Sequence, residues 1–239
     1  MKRTALILVL LAFSCPAFAG QNDHAVLFRE DFKTLDDWKP YTFPYPKIRK
    51  HTIYSIEKHG SGKSCLRAES DDAASAIYRV APFNVAEYPK ARWRWKVSNV
   101  YQKGDSRTKA GDDYPIRIYV MFEYDPEQAG VGERLLYGLA KARFGEYPPQ
   151  ASLCYVWASR EEKDRILTSP YTDRVKMVLL RMGTKDVGTW QDEEVNILED
   201  YRKAFATEPP SRARIAIMND SDNTHESAVS WVDYIEVFR

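Results

Sequence analysis

The sequence predicts a mostly β protein, an antiparallel β-sandwich of jelly-roll-like topology with two short helices. Three observations predict it. Short apolar-rich runs recur at close intervals, each bounded by Gly, Pro, Asp or Ser. Residues 114–124 alternate strictly: Ile116, Ile118, Val120 and Phe122 take one face, Arg117, Tyr119, Met121 and Glu123 the other. Only two segments show helical spacing of apolar residues, and both are short.

In chain order, Val26–Phe32 reads as a first strand, followed by a turn before Leu35 and Trp38 and a Pro- and Tyr-rich loop over Lys39–Lys50. Strands are then expected at His51–Glu57, Ser64–Ala68, Ala74–Val80, Lys90–Val97 and Tyr114–Tyr124. Further strands are expected at Ala151–Ala158, Arg174–Met182, Gly188–Val195, Arg212–Met218 and Ala228–Phe238. Leu135, Leu136, Leu139 and Ala142 mark one helix, stopped by Gly145 and Pro148-Pro149. Leu198, Tyr201 and Phe205 mark the other, stopped by Pro209-Pro210. No linker, repeat or low-complexity tract divides the chain, so residues 20–239 read as a single β-sandwich domain.

The first 19 residues read as a cleavable signal peptide. Lys2 and Arg3 precede an apolar run over Thr4–Phe13, and Ala17-Phe18-Ala19 offers the small-x-small cleavage pattern. The run is about half the length a membrane span needs. Cys15 admits a lipoprotein reading, but Phe13 is bulky where a small residue is wanted. The expected location is periplasmic or secreted, with no transmembrane segment in the mature chain. The leader holds two basic and no acidic residues, so its removal takes the formal net charge from +1 to −1. That balance argues against nucleic acid or an anionic membrane as main partner. Cys65 and Cys154 then remain, each in an expected strand; they read equally as one disulfide or as two buried thiols.

Four places could carry chemistry. Glu30 and Asp31 lie in the first strand and Asp233 in the last. Terminal strands of a sandwich often pair, so these carboxylates could share a Ca²⁺ ion; otherwise they accept ordinary turn hydrogen bonds. The stretch Lys109-Ala110-Gly111-Asp112-Asp113-Tyr114 precedes the clearest strand, with Gly111 expected to allow a tight turn. Asn219-Asp220-Ser221-Asp222-Asn223-Thr224 is oxygen-rich and follows its strand; it has a partial calcium-loop look without the Gly and distant Glu of an EF-hand, and reads as an ordinary turn or as a hydrogen-bonding loop or cation site. Trp93 and Trp95 share one strand face opposite Arg92, Arg94 and Lys96. They read as core or as a stacking platform for sugar rings, as do Trp157 and Trp190. Arg117 and Arg181, among apolar neighbours, call for carboxylate partners if buried.

Enzyme signatures are mostly absent. The four His have no metal or triad spacing, and no nucleophile elbow, phosphate loop or dinucleotide fingerprint occurs. Paired carboxylates need only meet in space, so Asp112, Glu123, Asp220 and Asp222 are the candidate catalytic residues. The candidate ligand-binding residues are Asp112, Asp113, Tyr114, Arg117, Trp190, Asp220, Asp222 and Asn223, for a glycan or other polar cell-envelope ligand. The alternatives are a polysaccharide-acting enzyme and a structural envelope protein.

The first strand with Trp38, ARWRWKV, KAGDDYPIRIYVMFEY, the Leu153–Trp157 strand, the Gly188–Phe205 segment, AIMNDSDNT and the Trp231–Val237 strand together resemble a bacterial exported family catalogued as domain of unknown function 3047. The resemblance covers nearly all of residues 20–239. It implies a fold like the jelly-roll sandwiches of carbohydrate-binding and lectin-like domains, and no particular activity.

Overall fold

The computed structural model describes residues 25–41, 50–60 and 62–239. The leader over residues 1–19, with Cys15, lies outside the described residues, as does most of the loop after Tyr41.

The chain runs through β1 (Val26–Glu30), β2 (Trp38–Tyr41), β3 (Ile53–His59), β4 (Lys63–Asp71), β5 (Ala74–Arg79), β6 (Phe83–Asn84) and β7 (Lys90–Val97). A 3-10 turn (Lys109–Gly111) leads to β8 (Arg117–Phe122), helix α1 (Val131–Phe144), β9 (Ala151–Ala158), β10 (Ile166–Thr168) and β11 (Val175–Met182). Then come β12 (Gln191–Asn196), α2 (Ile197–Phe205), β13 (Arg212–Asp220) and β14 (Ser227–Phe238). A six-stranded sheet has the order β12-β7-β14-β4-β3, with β1 also paired to β14. An eight-stranded sheet has the order β10-β11-β9-β8-β13-β5-β2, with β6 also paired to β13. The predicted sandwich is thus present, with one correction to its antiparallel character: β9 and β11 pair in parallel, because β10 intervenes as an antiparallel edge.

The two sheets bury one shared core. β7 shows how: Ala91, Trp93, Trp95 and Val97 point inward and are buried, while Lys90, Arg92, Arg94 and Lys96 point out. Trp93 meets Trp95 edge-on at 5.6 Å and Tyr155 at 5.4 Å, and Trp95 meets Trp157 at 6.2 Å. The core alternative therefore holds for Trp93, Trp95 and Trp157. Pro40 sits in β2, an edge strand where its missing N–H costs no ladder bond.

Both predicted helices form. In α2, Asn196 caps the N-terminus by accepting from the Glu199 N–H, and Ile197 and Tyr201 are buried. In α1, Gly145 takes φ 85° and returns its N–H to Lys141 O. The leucines that mark α1 face outward, with Leu135, Leu136 and Leu139 exposed; Tyr137 carries the buried contact, stacked on Tyr124 at 3.7 Å. Among the described residues, no helix is long and apolar enough to cross a membrane.

Cys65 and Cys154 are free and buried. Their neighbours Leu66, Leu153 and Tyr155 fill the shared core, so both thiols point to the outer sides of different sheets. The whole core separates them, which rules out a bond between them. Burial pushes the Cys65 thiol up to about 11 and the Cys154 thiol to about 12.

Two outcomes follow. Truncating Trp95→Ala removes a fully buried indole and should destabilise by about 3–5 kcal/mol, read as a lower midpoint in urea unfolding. A thiol reagent at pH 8 should leave Cys65 and Cys154 unlabelled in the native protein and label both once it is unfolded.

Candidate functional site: an acidic corner

The outer side of the eight-stranded sheet carries a compact polar cluster where β8 begins and β13 ends. Period two turns Ile116, Ile118 and Val120 into the core and puts Arg117 and Tyr119 on the outer side. β13 runs antiparallel beside it, pairing Met218 with Arg117, so Asp220 arrives next to the same guanidinium. Asn219 and Asp220 belong to this strand, not to the loop expected from their composition.

Arg117 is 5% exposed and fully engaged. Its Nε donates to Asp220 Oδ1 at 2.8 Å and its Nη2 to Asp220 Oδ2. Nη2 also donates to the Asp112 carbonyl, and Nη1 to Asp112 Oδ2 at 3.5 Å. The Tyr114 ring stacks 4.4 Å beneath the guanidinium. Tyr114 and Asp220 exchange backbone contacts: the Asp220 N–H donates to Tyr114 O, and the Tyr114 N–H to Asp220 Oδ1, both at 3.3 Å.

The approach to β8 depends on Gly111, though not for the reason its sequence suggests. Its φ is not among the positive values. A Cβ there would lie 2.6 Å from Asp105 N and 2.9 Å from Lys103 O, so close backbone packing excludes any side chain. That packing delivers Asp112 and Asp113 to the cluster. Asp113 Oδ2 accepts from the Thr224 N–H at 2.6 Å, tying the turn after β13 to the turn before β8.

The loop after β13 is held on its inner side by hydroxyls and amides. Ser221 Oγ bonds Ser70 Oγ at 2.6 Å. The Asn219 amide donates to Ala68 O, Ala228 O and Ser230 Oγ, and its Oδ1 accepts from Tyr101. Outside, Asn223 donates to the Tyr171 hydroxyl at 3.0 Å, and Tyr171, half exposed, donates to Lys109 O.

Charge in the corner is unbalanced. Asp112, Asp113 and Asp220 are buried and Asp222 is partly buried, against one buried guanidinium. Burial works against the charge of Arg117, but Asp220, Tyr119 and Asp112 hold it well above its ordinary range, so it stays cationic. Burial, with Asp113 adding to it, pushes Asp220 up to about 8 despite the pull of Arg117. Burial likewise raises Asp112 and Asp222. Burial is the leading cause for the carboxylates, with their neighbours adding to it, and the same carboxylates hold the charge on Arg117.

One oxygen each from Asp113, Asp220 and Asp222 lies within 4.8 Å of the others, the one such grouping among the described residues. The structure therefore brings together Asp112, Asp113, Tyr114, Arg117, Asp220, Asp222 and Asn223 from the predicted set. It leaves out Glu123, which sits past the far end of β8, about 20 Å along the strand. There Glu123 pairs with Arg212 and Arg214, both at 2.9 Å, beside an open groove of about 510 Å³ between α1 and the Pro209-Pro210 turn. It also leaves out Trp190, which packs on the six-stranded sheet against His59, Arg94 and Lys96.

Glu30, Asp31 and Asp233 do not converge, although β1 and β14 pair as expected. Glu30 accepts from the Phe32 N–H and the Trp38 indole, Asp31 pairs with Arg29, and Asp233 pairs with His59 at 3.0 Å. A bulge between Val232 and Tyr234 shifts the register beside Asp233. Arg181 pairs with Glu193 and Asp186. Thr224 lies within the polar run the sequence singles out, whereas Tyr171 is not legible there, because nothing in the sequence links it to Asn223.

Fold and site together define a β-sandwich protein with one uncompensated acidic corner. The chain belongs to the family described as "Protein of unknown function (DUF3047)", matched over residues 36–236. No curated protein matches it significantly in sequence. Among solved structures it is similar to the family 30 carbohydrate-binding module of a cellulosomal cellulase of Clostridium thermocellum, with TM-score 0.42, 7% identity, and 83% of this chain and 92% of that one covered. It is also similar to lectin I-B4 of Griffonia simplicifolia in its metal-free form, with TM-score 0.39, 10% identity, and 86% and 94% covered. A third is the enzymatically active domain of bacteriophage CBA120 tailspike protein 4, with TM-score 0.41 and 8% identity; 87% of this chain and 20% of that one are covered. At these scores no function is drawn from the likeness, and the architecture stands on the strand pairing above.

Removing the guanidinium strands the buried carboxylates. Arg117→Ala should cost about 3–5 kcal/mol, whereas Glu123→Gln, at a part-exposed ion pair, should cost about 1 kcal/mol or less; urea unfolding of both variants checks the contrast.

Proposed function

We propose that the protein is an exported binding domain, periplasmic or secreted, for a hydroxyl-rich polar ligand of the glycan class, taken at the acidic corner. Export rests on the leader pattern in residues 1–19. The binding role rests chiefly on one observation: a surplus of carboxylate faces a rim of partly exposed polar and aromatic groups, Asp222, Asn223 and Tyr171. Such a rim can accept hydrogen bonds from hydroxyls and offer a ring edge to a sugar.

The enzyme alternative fits the geometry less well. Glycoside cleavage needs two carboxyl groups that both reach the substrate. Asp113 and Asp220 are buried and Asp220 is engaged by Arg117, so Asp222 is the one carboxylate of the three open to solvent. Glu123 is too distant to join them.

A second reading has its own observation. On the outer side of the six-stranded sheet, Lys96 Nζ sits 5.0 Å from the Trp190 ring centre and 4.2 Å from that of Trp231, with the His59 ring 4.9 Å from Trp190 and tilted to it by 38°. This is an aromatic surface on which a sugar could stack.

A glycan array probed with the wild-type protein, Asp222→Asn and Trp190→Ala separates them. Retention of a glycan that Asp222→Asn abolishes and Trp190→Ala leaves intact is expected. Loss only in Trp190→Ala moves the site to the six-stranded sheet. No retention on any glycan overturns the ligand reading and leaves a structural role, and product release from a polysaccharide restores the enzyme.

A further inference from the structure

We infer that Asp113, Asp220 and Asp222 form a binding site for a hard divalent cation, Ca²⁺, with the Thr224 hydroxyl beside them. The inference deepens the binding reading above, since it concerns the same corner. Three features carry it.

The first is convergence. One carboxylate oxygen from the turn before β8 and two from the end of β13 and its following loop lie within 4.8 Å of one another. Both stretches are anchored: Asp220 ends a strand paired on both sides, and Asp113 follows the close packing at Gly111.

The second is independent of the carboxylate count. Asp113 is 1% exposed, and its Oδ1 has no hydrogen-bond partner among the described residues. Thr224, also 1% exposed, has a hydroxyl with no partner. Thr224 is fixed against the cluster, because its N–H donates to Asp113 Oδ2 at 2.6 Å and its carbonyl accepts from Lys103 Nζ at 2.9 Å. Two buried oxygens without partners among the described residues, on side chains tied together by the Thr224 N–H, are what a bound cation would satisfy. Buried polar groups are otherwise almost always paired.

The third is donor chemistry. Arg117 and the Tyr114 N–H together fill Asp220 Oδ1, but Asp220 Oδ2 accepts only from Arg117 and keeps a second lone pair. The donors are all oxygen, with no His or Cys among them, which selects a hard cation over Zn²⁺. They come from one strand end and two irregular turns rather than an octahedral frame, which suits Ca²⁺ better than Mg²⁺. Asp222, partly exposed, gives the ion its way in from solvent.

Calorimetric titration of chelator-treated protein with CaCl₂ and MgCl₂, alongside thermal unfolding in each salt, tests this. One Ca²⁺ site per chain and a Ca²⁺-dependent rise in the unfolding midpoint are expected. Asp222→Asn and Thr224→Val, each checked for native circular dichroism, should weaken Ca²⁺ binding by at least about tenfold. Asp233→Asn, remote from the corner, should leave it unchanged. No binding heat and no midpoint shift at millimolar Ca²⁺ overturn the site, as does equal affinity in Asp222→Asn and wild type. Equal or tighter Mg²⁺ binding overturns the assignment to Ca²⁺. Ca²⁺ binding without glycan retention keeps the cation site and removes the glycan reading; glycan retention unchanged by chelator, with no Ca²⁺ binding, does the reverse.

Discussion

The guanidinium of Arg117 locks the end of β13 to the turn before β8, two segments that the β8–β13 ladder has already brought side by side. It bonds both oxygens of Asp220 at the end of β13, and the carbonyl and side chain of Asp112 in the turn before β8. A buried ion pair seldom adds much net stability, because desolvating two charges offsets their attraction. Its value here is positional. A planar, five-donor group can satisfy two carboxylates and a carbonyl at once, which an ammonium cannot do in fixed geometry. Once Asp112 is fixed, Asp113 follows, and Thr224 closes the ring by bonding it. The corner is therefore one unit, and a change at any member should be felt at the others.

How much of this is legible in the sequence depends on which force sets each element. Two strands are read to the residue, Lys90–Val97 by its alternation and Ala151–Ala158 as a continuous apolar run, whereas the alternating run 114–124 is strand only over Arg117–Phe122. β2 is not read as a strand, because Pro40 and the Tyr-rich run resemble a loop, and only the edge position of the strand makes the proline tolerable. The helix α1 is legible as a helix, but its exposed face is not. Spacing shows that Leu135 and Leu139 share a side, and only tertiary packing decides that Tyr137 is the side chain buried.

The acidic corner is legible in part, for a similar reason. Polar composition marks Asn219–Thr224 as a loop, and for most of that run it is one. Asn219 and Asp220 escape the rule because their partners lie far away in sequence: Ala68, Ala228, Tyr101 and Arg117. A polar residue in a strand looks like a strand end until its hydrogen-bond partner is known. Gly111 is a companion case. Its importance is visible from composition, but the cause is a neighbouring backbone at 2.6 Å, not a left-handed turn. Glu30, Asp31 and Asp233 show the converse. Strand pairing brings their backbones close, yet each carboxylate takes a local partner instead.

Average charge conceals where the molecule is unsatisfied. The outer side of β7 presents four cations, and each has something to meet: Lys90 the Phe238 ring, Arg92 the Glu236 carboxylate, Arg94 Asp192, and Lys96 two indoles. That row looks like a binding surface in sequence and is largely self-compensated in the fold. The acidic corner looks like a turn in sequence and is the place where compensation fails. One arginine stands against four carboxylates, and burial raises three of the four toward their neutral forms. Asp113 Oδ1 and the Thr224 hydroxyl have no partner among the described residues. An imbalance held in place by an arginine, a glycine and a strand end is a feature the fold maintains, and its sign is the one the proposed cation would offset.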